Sequence, residues 1–236
     1  MITELEKDMA LHCISYAVEN GADAARVSLN KSVMDGYTLL NGELDKVTHS
    51  ADRSIYLYIY ADGRYGTFST NRLDLQELDG FIENAVGMVR MLGEDACRRL
   101  PDKDRTADDA KTGMELGLFD ERYLSVDTDM RLALAKELSI YGKLSPEGYR
   151  LISEECEYTD SYDDAFLVDS QGFEGRHTET TFSAFAEMTI GMLGRLKRIT
   201  KARTAAMALI KYLAFFRATN TADSGGRTPL SPTSLT

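Results

Sequence analysis

Hydrophobic and polar residues alternate most regularly between residues 54 and 70. Ile55, Leu57 and Ile59 alternate with three tyrosines, which is the two-residue period of a β-strand. Asp62-Gly63 interrupts the run, and this dipeptide favours a tight turn because glycine accepts a positive φ without steric cost. The alternation resumes over residues 65–70. The pattern therefore predicts two antiparallel strands joined at Asp62-Gly63.

Three other segments repeat their apolar residues at helical spacing, which predicts helices over residues 3–20, 74–92 and 127–141. The first opens on Thr3-Glu4-Leu5-Glu6, the form of a capping box, and stops at Asn20-Gly21. In the second helix, Asp74 and Glu77 are predicted to cap each other reciprocally. The apolar stripe of this second helix indicates that it faces a core rather than a cofactor.

Shorter alternating runs predict further strands, at residues 25–30, 37–41, 43–49, 149–158, 165–169 and 174–190. Asp35-Gly36, Asn41-Gly42 and Ser170-Gln171-Gly172 have the composition of turns between them. Residues 22–70 then form an antiparallel meander between two helices. The fold class predicted is α+β, with antiparallel sheet and flanking helices. A helix followed by strands recurs over residues 127–190, which suggests an internal repeat of residues 3–70.

Composition divides the chain into residues 1–190 and a different segment, 191–236. The net charge of −11 is the sum of about −18 over the first segment and +7 over the second. Residues 96–113 are polar and charged, which is typical of a connector that is mobile or wraps a surface. An acidic body argues against a nucleic-acid partner, because affinity for the phosphate backbone comes mainly from Lys and Arg.

Other features of composition indicate a cytoplasmic protein. The 43% of hydrophobic residues is ordinary for a globular chain, and no apolar run is long enough to span a bilayer. The first residues are acidic and do not resemble a secretory signal. Cys13, Cys97 and Cys156 lie far apart, which indicates reduced thiols rather than a disulfide framework or a zinc site.

The search for catalytic chemistry yields no assignment. The sequence has no His-Glu-x-x-His, Gly-x-Ser-x-Gly or Cys-x-x-Cys, and no phosphate-binding loop. His12 has no metal-type neighbours at helical spacing, and His49 has only Asp45 and Asp52 nearby in sequence. His177 and Glu179 share one face of a predicted strand, but two groups do not make a zinc site. Four aspartates of the connector are interleaved with Lys and Arg and are interpreted as a solvated loop: Asp102, Asp104, Asp108 and Asp109. We assign no catalytic, cofactor-binding or metal-binding residue.

An ordered set of short motifs resembles the N-terminal region of the TldD/PmbA family, the family labelled modulator of DNA gyrase. The set comprises residues 21–27 (GADAARV), 62–73 (DGRYGTFSTNRL), Glu94-Asp95, Leu100-Pro101 and 169–175 (DSQGFEG). The resemblance covers about residues 5–190 and is nearest to the PmbA, or TldE, branch.

The resemblance implies a cytosolic two-subunit zinc peptidase that cleaves unfolded peptides. In that family the TldD-type subunit carries a His-Glu-x-x-x-His motif, and the PmbA-type partner lacks it. No position in this sequence matches the motif, so the zinc is expected in a TldD-like partner, and no catalytic residue is carried over. Family members continue into a further domain. The change of charge near residue 190 leads to the expectation of a truncated chain whose tail, 191–236, is aberrant or disordered.

Two alternatives to a non-catalytic peptidase subunit stay open at this point. One is a peptide- or protein-binding module without peptidase activity or a peptidase partner, acting alone or by self-association, whose acidic surface meets a basic client. The other is attachment of the basic tail to anionic lipid as an amphipathic helix carrying five cations: Arg195, Lys197, Arg198, Lys201 and Arg203. Gly191 and Gly194 weaken that helix, so no membrane contact is expected.

Overall fold

The architecture is an antiparallel sheet with helices, as the fold class α+β predicted. In a computed structural model, residues 1–107, 110–143, 149–192 and 195–200 are described. Six strands form one sheet in the order β3-β2-β1-β4-β5-β6. The strands are β1 (Ala24–Leu40), β2 (Glu43–Ala61), β3 (Arg64–Thr70), β4 (Tyr149–Asp169), β5 (Glu174–Met192) and β6 (Arg195–Thr200). The helices are α1 (Glu4–Glu19), α2 (Leu75–Val89) and α3 (Thr128–Leu138).

Both predicted two-residue hairpins are confirmed. β2 pairs antiparallel with β3, with Ala61 opposite Arg64 and Ile55 opposite Thr70. Asp62 and Gly63 have φ values of 52° and 68°. Asn41 and Gly42, between β1 and β2, have φ values of 53° and 83°. Positive φ at both central positions is the geometry of the turn that matches the twist of paired strands.

The predicted turn at Asp35-Gly36 is wrong, because β1 runs through it without interruption. The polar residues 50–53 likewise belong to β2, which joins two runs predicted as separate strands. Polar side chains of β2 find partners on a strand and on a helix: His49 Nδ1 lies 2.8 Å from Asp35 Oδ1 of β1, and Arg53 Nη1 lies 3.3 Å from Glu6 Oε1 of α1. A strand continues through polar sequence when its side chains find partners on neighbouring elements.

The strands predicted at 149–158 and 165–169 are one strand, β4. The acidic residues between them look like a loop in sequence, yet Asp160 and Asp164 are buried. Asp164 accepts hydrogen bonds from the backbone N of Ile2 at 2.7 Å, Tyr162 Oη at 2.8 Å and Arg176 Nη2 at 2.7 Å. A buried carboxylate is tolerated when it is paired and hydrogen-bonded in this way.

The predicted helix caps agree with the structure more closely than the predicted helix ends do. Thr3 and Glu6 form the complete capping box of α1. At α2, Asp74 accepts from the backbone of Gln76 and Glu77, but the Glu77 side chain pairs with Arg72 instead of capping in return. Helices α2 and α3 end at residues 89 and 138, three residues before the predicted ends.

The chain forms two compact units, the first made of Met1–Asp35, Thr48–Ser125 and Asp160–Thr181. The largest side chains of its core come from β1, β2 and α2, including Leu29, Leu57 and Ile82. Glycine at 66 allows β3 to pack closely on α2, because an added Cβ would lie 2.8 Å from Val89 Cγ2.

We expect Gly66→Ala to destabilise the protein by about 1–3 kcal/mol, because an extra methyl group would overpack this contact. Gly87→Ala, in α2, is the matched control, since its Cβ would meet nothing within 4 Å. Replacing a helical glycine at an open position should stabilise the protein by about 0.4–1 kcal/mol. Urea denaturation measures both changes. Equal midpoints for the two variants would contradict the packing role of Gly66.

The second unit contains Gly36–Val47, Val126–Thr159 and the described residues from Phe182 onward. Its core joins β1, α3, β4 and β5, with Leu39, Leu138 and Cys156 fully buried. Glu154 is 1% exposed and accepts hydrogen bonds from Ser139 Oγ, Ile140 N at 2.9 Å and Tyr141 N at 3.1 Å. This carboxylate binds the chain just after the C-terminus of α3 and thereby holds the turn that follows.

The connector lies alongside β5 and bonds to it, which agrees with the prediction that it wraps a surface. Arg176 N donates to Ala110 O at 2.7 Å, and Thr178 N donates to Gly113 O at 3.2 Å. Asp108 and Asp109 lie outside the described residues. Of the described helices, none combines the length and apolar character needed to cross a membrane.

The predicted division at residue 190 stays a prediction. β5 continues to Met192, and residues Arg195–Thr200 pair antiparallel with it as β6. The lipid-binding helix considered for this stretch is therefore wrong over residues 195–200, while Lys201, Arg203 and the rest of 201–236 lie outside the described residues. The sheet order places β1 beside β4, the first strand of each predicted half. That order is compatible with an internal repeat, which also stays a prediction.

Candidate functional site

The motifs that are scattered along the sequence meet at one end of the sheet, around the turn at Asp62-Gly63. Asp23 N donates to Tyr60 O at 2.8 Å, and the Asp23 carboxylate accepts from Asp62 N at 2.7 Å. Asp95 N donates to Gly63 O at 2.9 Å. Three segments far apart in sequence are thus held together by backbone groups of the turn.

Arg64 holds the loop after α2 against this turn. Its Nε donates to Leu92 O at 2.9 Å, its Nη1 donates to Asp62 O at 2.8 Å, and its Nη2 pairs with Glu94 at 3.1 Å. All three nitrogens of the guanidinium are therefore engaged within the protein. The planar, always charged guanidinium suits this role because its donors point in fixed directions.

The β4–β5 turn joins the same end of the sheet. Ser170 N donates to Ala25 O at 2.9 Å, and Ala25 N donates to Ser170 Oγ at 3.1 Å. Asp169 Oδ1 accepts from Gln171 N at 2.9 Å and Phe173 N at 3.2 Å, which fixes the turn itself. Every motif that carried the family resemblance, from residues 21–27 to residues 169–175, contributes to this corner.

An open pocket of about 360 Å³ lies in the corner. Its polar lining includes three arginines and two aspartates: Arg64, Arg98, Arg99, Asp23 and Asp102. Arg98 and Arg99 are exposed, with 62% and 75% of their side-chain surface accessible. Their nearest carboxylates, those of Asp95 and Asp102, lie 3.6 Å and 3.7 Å away. Those distances exceed a normal hydrogen bond, so these two guanidiniums have donors to offer a ligand.

Aromatic residues flank the arginines. The Arg98 guanidinium lies 5.3 Å from the centre of the Tyr65 ring, within range of a cation–π contact. Tyr60 and Tyr65 have ring centres 5.1 Å apart. Burial raises the pKa of Tyr60, and the neighbouring Tyr65 raises it further, so its hydroxyl stays neutral at physiological pH. The arginines and the neutral tyrosine hydroxyl can therefore donate to an anion or a planar polar group without first gaining or losing a proton.

The three histidines considered from the sequence lie apart from this corner's pocket. His12 Nε2 lies 2.6 Å from Asp79 Oδ1 across α1 and α2. His49 contacts Asp35 on β1 and not Asp45 or Asp52, its neighbours in sequence. His177 lies 3.2 Å from Glu179, as their shared face predicted. Each histidine has a single carboxylate partner among these contacts, an arrangement that does not make a zinc site.

The cysteines are free thiols in different environments. Cys13 and Cys156 are buried and Cys97 is exposed. Burial raises the pKa of both buried thiols to about 12, with Asp79 adding to the effect at Cys13 and Glu154 at Cys156. Neutral thiols are poor nucleophiles and poor metal ligands. Within the ranges that the structure describes, no three His, Cys, Asp or Glu side chains are grouped so as to hold a metal ion.

Sequence reasoning missed the contribution of Arg98 and Arg99 to the pocket. Both belong to the connector, whose charges resemble a solvated loop in sequence. The available signal was the position of this pair between Glu94-Asp95 and Leu100-Pro101, two of the family motifs. Alternating charge gives no direction to side chains, so only the path of the loop could place them beside Tyr60 and Tyr65.

Comparison with known proteins supports the family resemblance that these motifs carry. Residues 25–89 match the family description PmbA/TldA metallopeptidase domain 1. Metalloprotease PmbA of Escherichia coli O157:H7 is 26% identical over 137 residues, which cover 57% of this chain and 30% of that protein.

Solved structures extend the likeness to most of the chain. A protein of Bacteroides thetaiotaomicron described as a modulator of DNA gyrase is 31% identical with a TM-score of 0.76, over 90% of this chain and 50% of that one. TldE of Thermococcus kodakarensis shares the fold alone, at 12% identity and a TM-score of 0.61, over 86% of this chain and 46% of that one. This chain spans half or less of the length of each of these relatives. These likenesses support a TldD/PmbA-family N-terminal region in the described part of the chain.

Proposed function

We propose that this protein is a non-catalytic, PmbA/TldE-like subunit of a TldD/PmbA-type zinc metallopeptidase system that acts on unfolded peptides in the cytoplasm. The observation that carries the proposal is the likeness to the PmbA and TldE members, in sequence for the first and in fold for the second. The absence of a His-Glu-x-x-x-His motif from the 236 residues agrees with it.

A TldD-like subunit is the partner in this proposal. The two histidines of the His-Glu-x-x-x-His motif would bind zinc in that partner, and the glutamate of the motif would activate water. This chain then contributes binding surface rather than chemistry. Self-association is the alternative assembly, in which two copies of this chain meet without a zinc-bearing subunit.

The experiment is co-expression of the full chain with a TldD-type subunit, followed by chromatography and an assay on an unfolded peptide. We expect a stable complex whose hydrolysis is abolished by a chelator and restored by zinc. The chain alone should show no chelator-sensitive hydrolysis. A TldD-type subunit with its motif glutamate replaced by glutamine is the matched control, since the complex should form without activity. Robust zinc-dependent hydrolysis by the chain alone would contradict the proposal.

A peptide-binding module without peptidase activity is the second candidate. It is favoured by the sheet order, in which β3 is the terminal strand and pairs with β2. A terminal strand can accept an extended peptide by strand addition, where main-chain hydrogen bonds supply the affinity. Peptide binding by the chain alone, with no complex formed with a TldD-type subunit, would favour this function over the first.

A further inference from the structure

We propose that the pocket at the Asp62-Gly63 corner binds a carboxylate group, with Arg98 and Arg99 as its ligands. The group would come from a peptide, either as its C-terminus or as an acidic side chain. The choice of a peptide as the source rests on the proposed function, whereas the site itself is formed by this chain without the proposed partner. The inference rests on the position, the exposure and the partial pairing of the two arginines.

The three arginines of the pocket differ in how far their donors are used. Arg64 is 24% exposed, and each of its nitrogens has a partner within the loop or turn. Arg98 and Arg99 face carboxylates of Asp95 and Asp102 only at 3.6 Å and 3.7 Å. Arg64 therefore shapes the pocket, while Arg98 and Arg99 retain N–H groups that can form charge-assisted bonds to a carboxylate.

The Arg98 side chain contacts an aromatic ring beside the pocket. Its guanidinium lies over the Tyr65 ring, which restrains the side chain without using its N–H donors. A side chain held in place before binding loses less conformational entropy when the ligand arrives. Tyr60 and Gln171 line the same pocket and bring a neutral hydroxyl and an amide, both able to donate to an anion.

Two carboxylates line the pocket, and their negative charge disfavours the binding of an anionic ligand. Asp23 is already engaged, since it accepts from the backbone N of Asp62 at 2.7 Å. Asp102 is half exposed and weakly paired with Arg99, so it acts as an internal competitor that a ligand carboxylate must displace. Removing that charge should strengthen binding, whereas removing a purely structural residue should not.

The charge of the whole chain makes the inference specific. A protein of net charge −11 does not attract anions through its overall field. At about 0.15 M ionic strength the Debye length is about 8 Å, so the distant acidic residues are screened but groups in the pocket are not. Binding of a carboxylate under these conditions therefore reports the pocket rather than general attraction.

The test uses the full chain and four N-acetylated tetrapeptides, each with one tyrosine and with alanine at the positions not named below. The first has a free C-terminus and the second a C-terminal amide. The third is the amide with one glutamate, and the fourth is the amide with glutamine in its place. Chemical shifts of the protein are followed by NMR at physiological ionic strength. We expect a Kd of about 1 mM or tighter for the first peptide, the third or both, and weaker binding of their neutral counterparts.

Variants assign the binding to the pocket. The double substitution Arg98→Gln with Arg99→Gln should weaken it at least about tenfold, and Asp102→Asn should strengthen it about twofold or more. Arg72→Gln is the matched control, because Arg72 is equally exposed at 74% and pairs with Glu77 instead. Preference for the free C-terminus or for glutamate identifies the source of the carboxylate. No preference for charged peptides, or equal losses in the control, would overturn the proposal.

Discussion

Replacing Asp164 with asparagine is expected to destabilise the protein by about 3–5 kcal/mol, because it leaves the Arg176 guanidinium without its buried counter-charge. The Asp164 side chain is fully buried and that of Arg176 is 12% exposed. The Arg176 Nε and Nη2 donate to the two carboxylate oxygens of Asp164 at 2.9 Å and 2.7 Å, a bidentate arrangement. Burial alone would raise the pKa of Asp164, but the hydrogen bonds from Arg176, Ile2 N and Tyr162 and the Arg176 charge together outweigh burial and lower it.

The same carboxylate ties the N-terminus to the sheet. Ile2 N donates to Asp164 at 2.7 Å, and Arg176 Nη2 reaches Ile2 O at 3.4 Å. Tyr162 Oη donates to it as well, and burial together with the Asp164 charge raises the pKa of that hydroxyl so that it remains a donor. The asparagine variant should therefore also expose the N-terminal backbone, with faster hydrogen exchange at Ile2.

Urea denaturation and hydrogen exchange measure these two effects. Asp163→Asn is the matched control, since Asp163 immediately precedes Asp164 in β4 and is only partly buried. Adding Arg176→Gln to Asp164→Asn should recover part of the lost stability, because the uncompensated charge is then removed as well. A loss below about 1 kcal/mol for Asp164→Asn would show that the network does not stabilise the fold.

Acid is expected to remove a further contribution of about 3 kcal/mol that depends on Glu6. The Glu6 carboxylate accepts from Thr3 N at 2.8 Å and from Lys31 Nζ at 3.2 Å, and Arg53 lies 3.3 Å away. Burial raises the pKa of Glu6, but these donors outweigh burial and lower it from 4.5 to about 2. Each unit of pKa difference corresponds to about 1.4 kcal/mol of stability.

Acid destabilises the folded chain because Glu6 binds a proton more readily when the chain is unfolded. Below pH 4.5 the unfolded chain takes up a proton at Glu6 before the folded chain does, so protons favour unfolding. The contribution is complete above about pH 5 and is lost as the pH falls towards 2. Asp164 adds to the same trend because its pKa is lowered too.

Glu6→Gln isolates the effect, since glutamine can still accept from Thr3 N and keep the capping box while losing the charge. The free energy of unfolding, measured by urea between pH 6 and pH 2, should fall less steeply in this variant than in the wild type. Glu4→Gln is the control, because Glu4 is 84% exposed and its pair with Lys7 is screened by solvent. Parallel pH curves for Glu6→Gln and wild type would contradict the assignment.

Local features of the fold were accessible from the sequence because their physics involves residues close along the chain. The turns at Asn41-Gly42 and Asp62-Gly63 require positive φ at two adjacent positions, and the residue pair alone predicts it. The caps at Thr3 and Asp74 bind backbone groups within one helical turn. Alternation placed Ile55, Leu57 and Ile59 in the core because each strand residue faces opposite to its neighbours.

Tertiary structure decided where polar segments become strands and where the candidate site lies. Asp164 and Arg53 sit in stretches that look like loops, and they are strand residues because Arg176 and Glu6 reach them from elsewhere in the chain. Likewise, Arg98 and Gln171 line one pocket although the sequence separates them widely. Partners that lie far apart along the chain leave no periodic signal, so their pairing emerges only once the sheet and the loops have assembled.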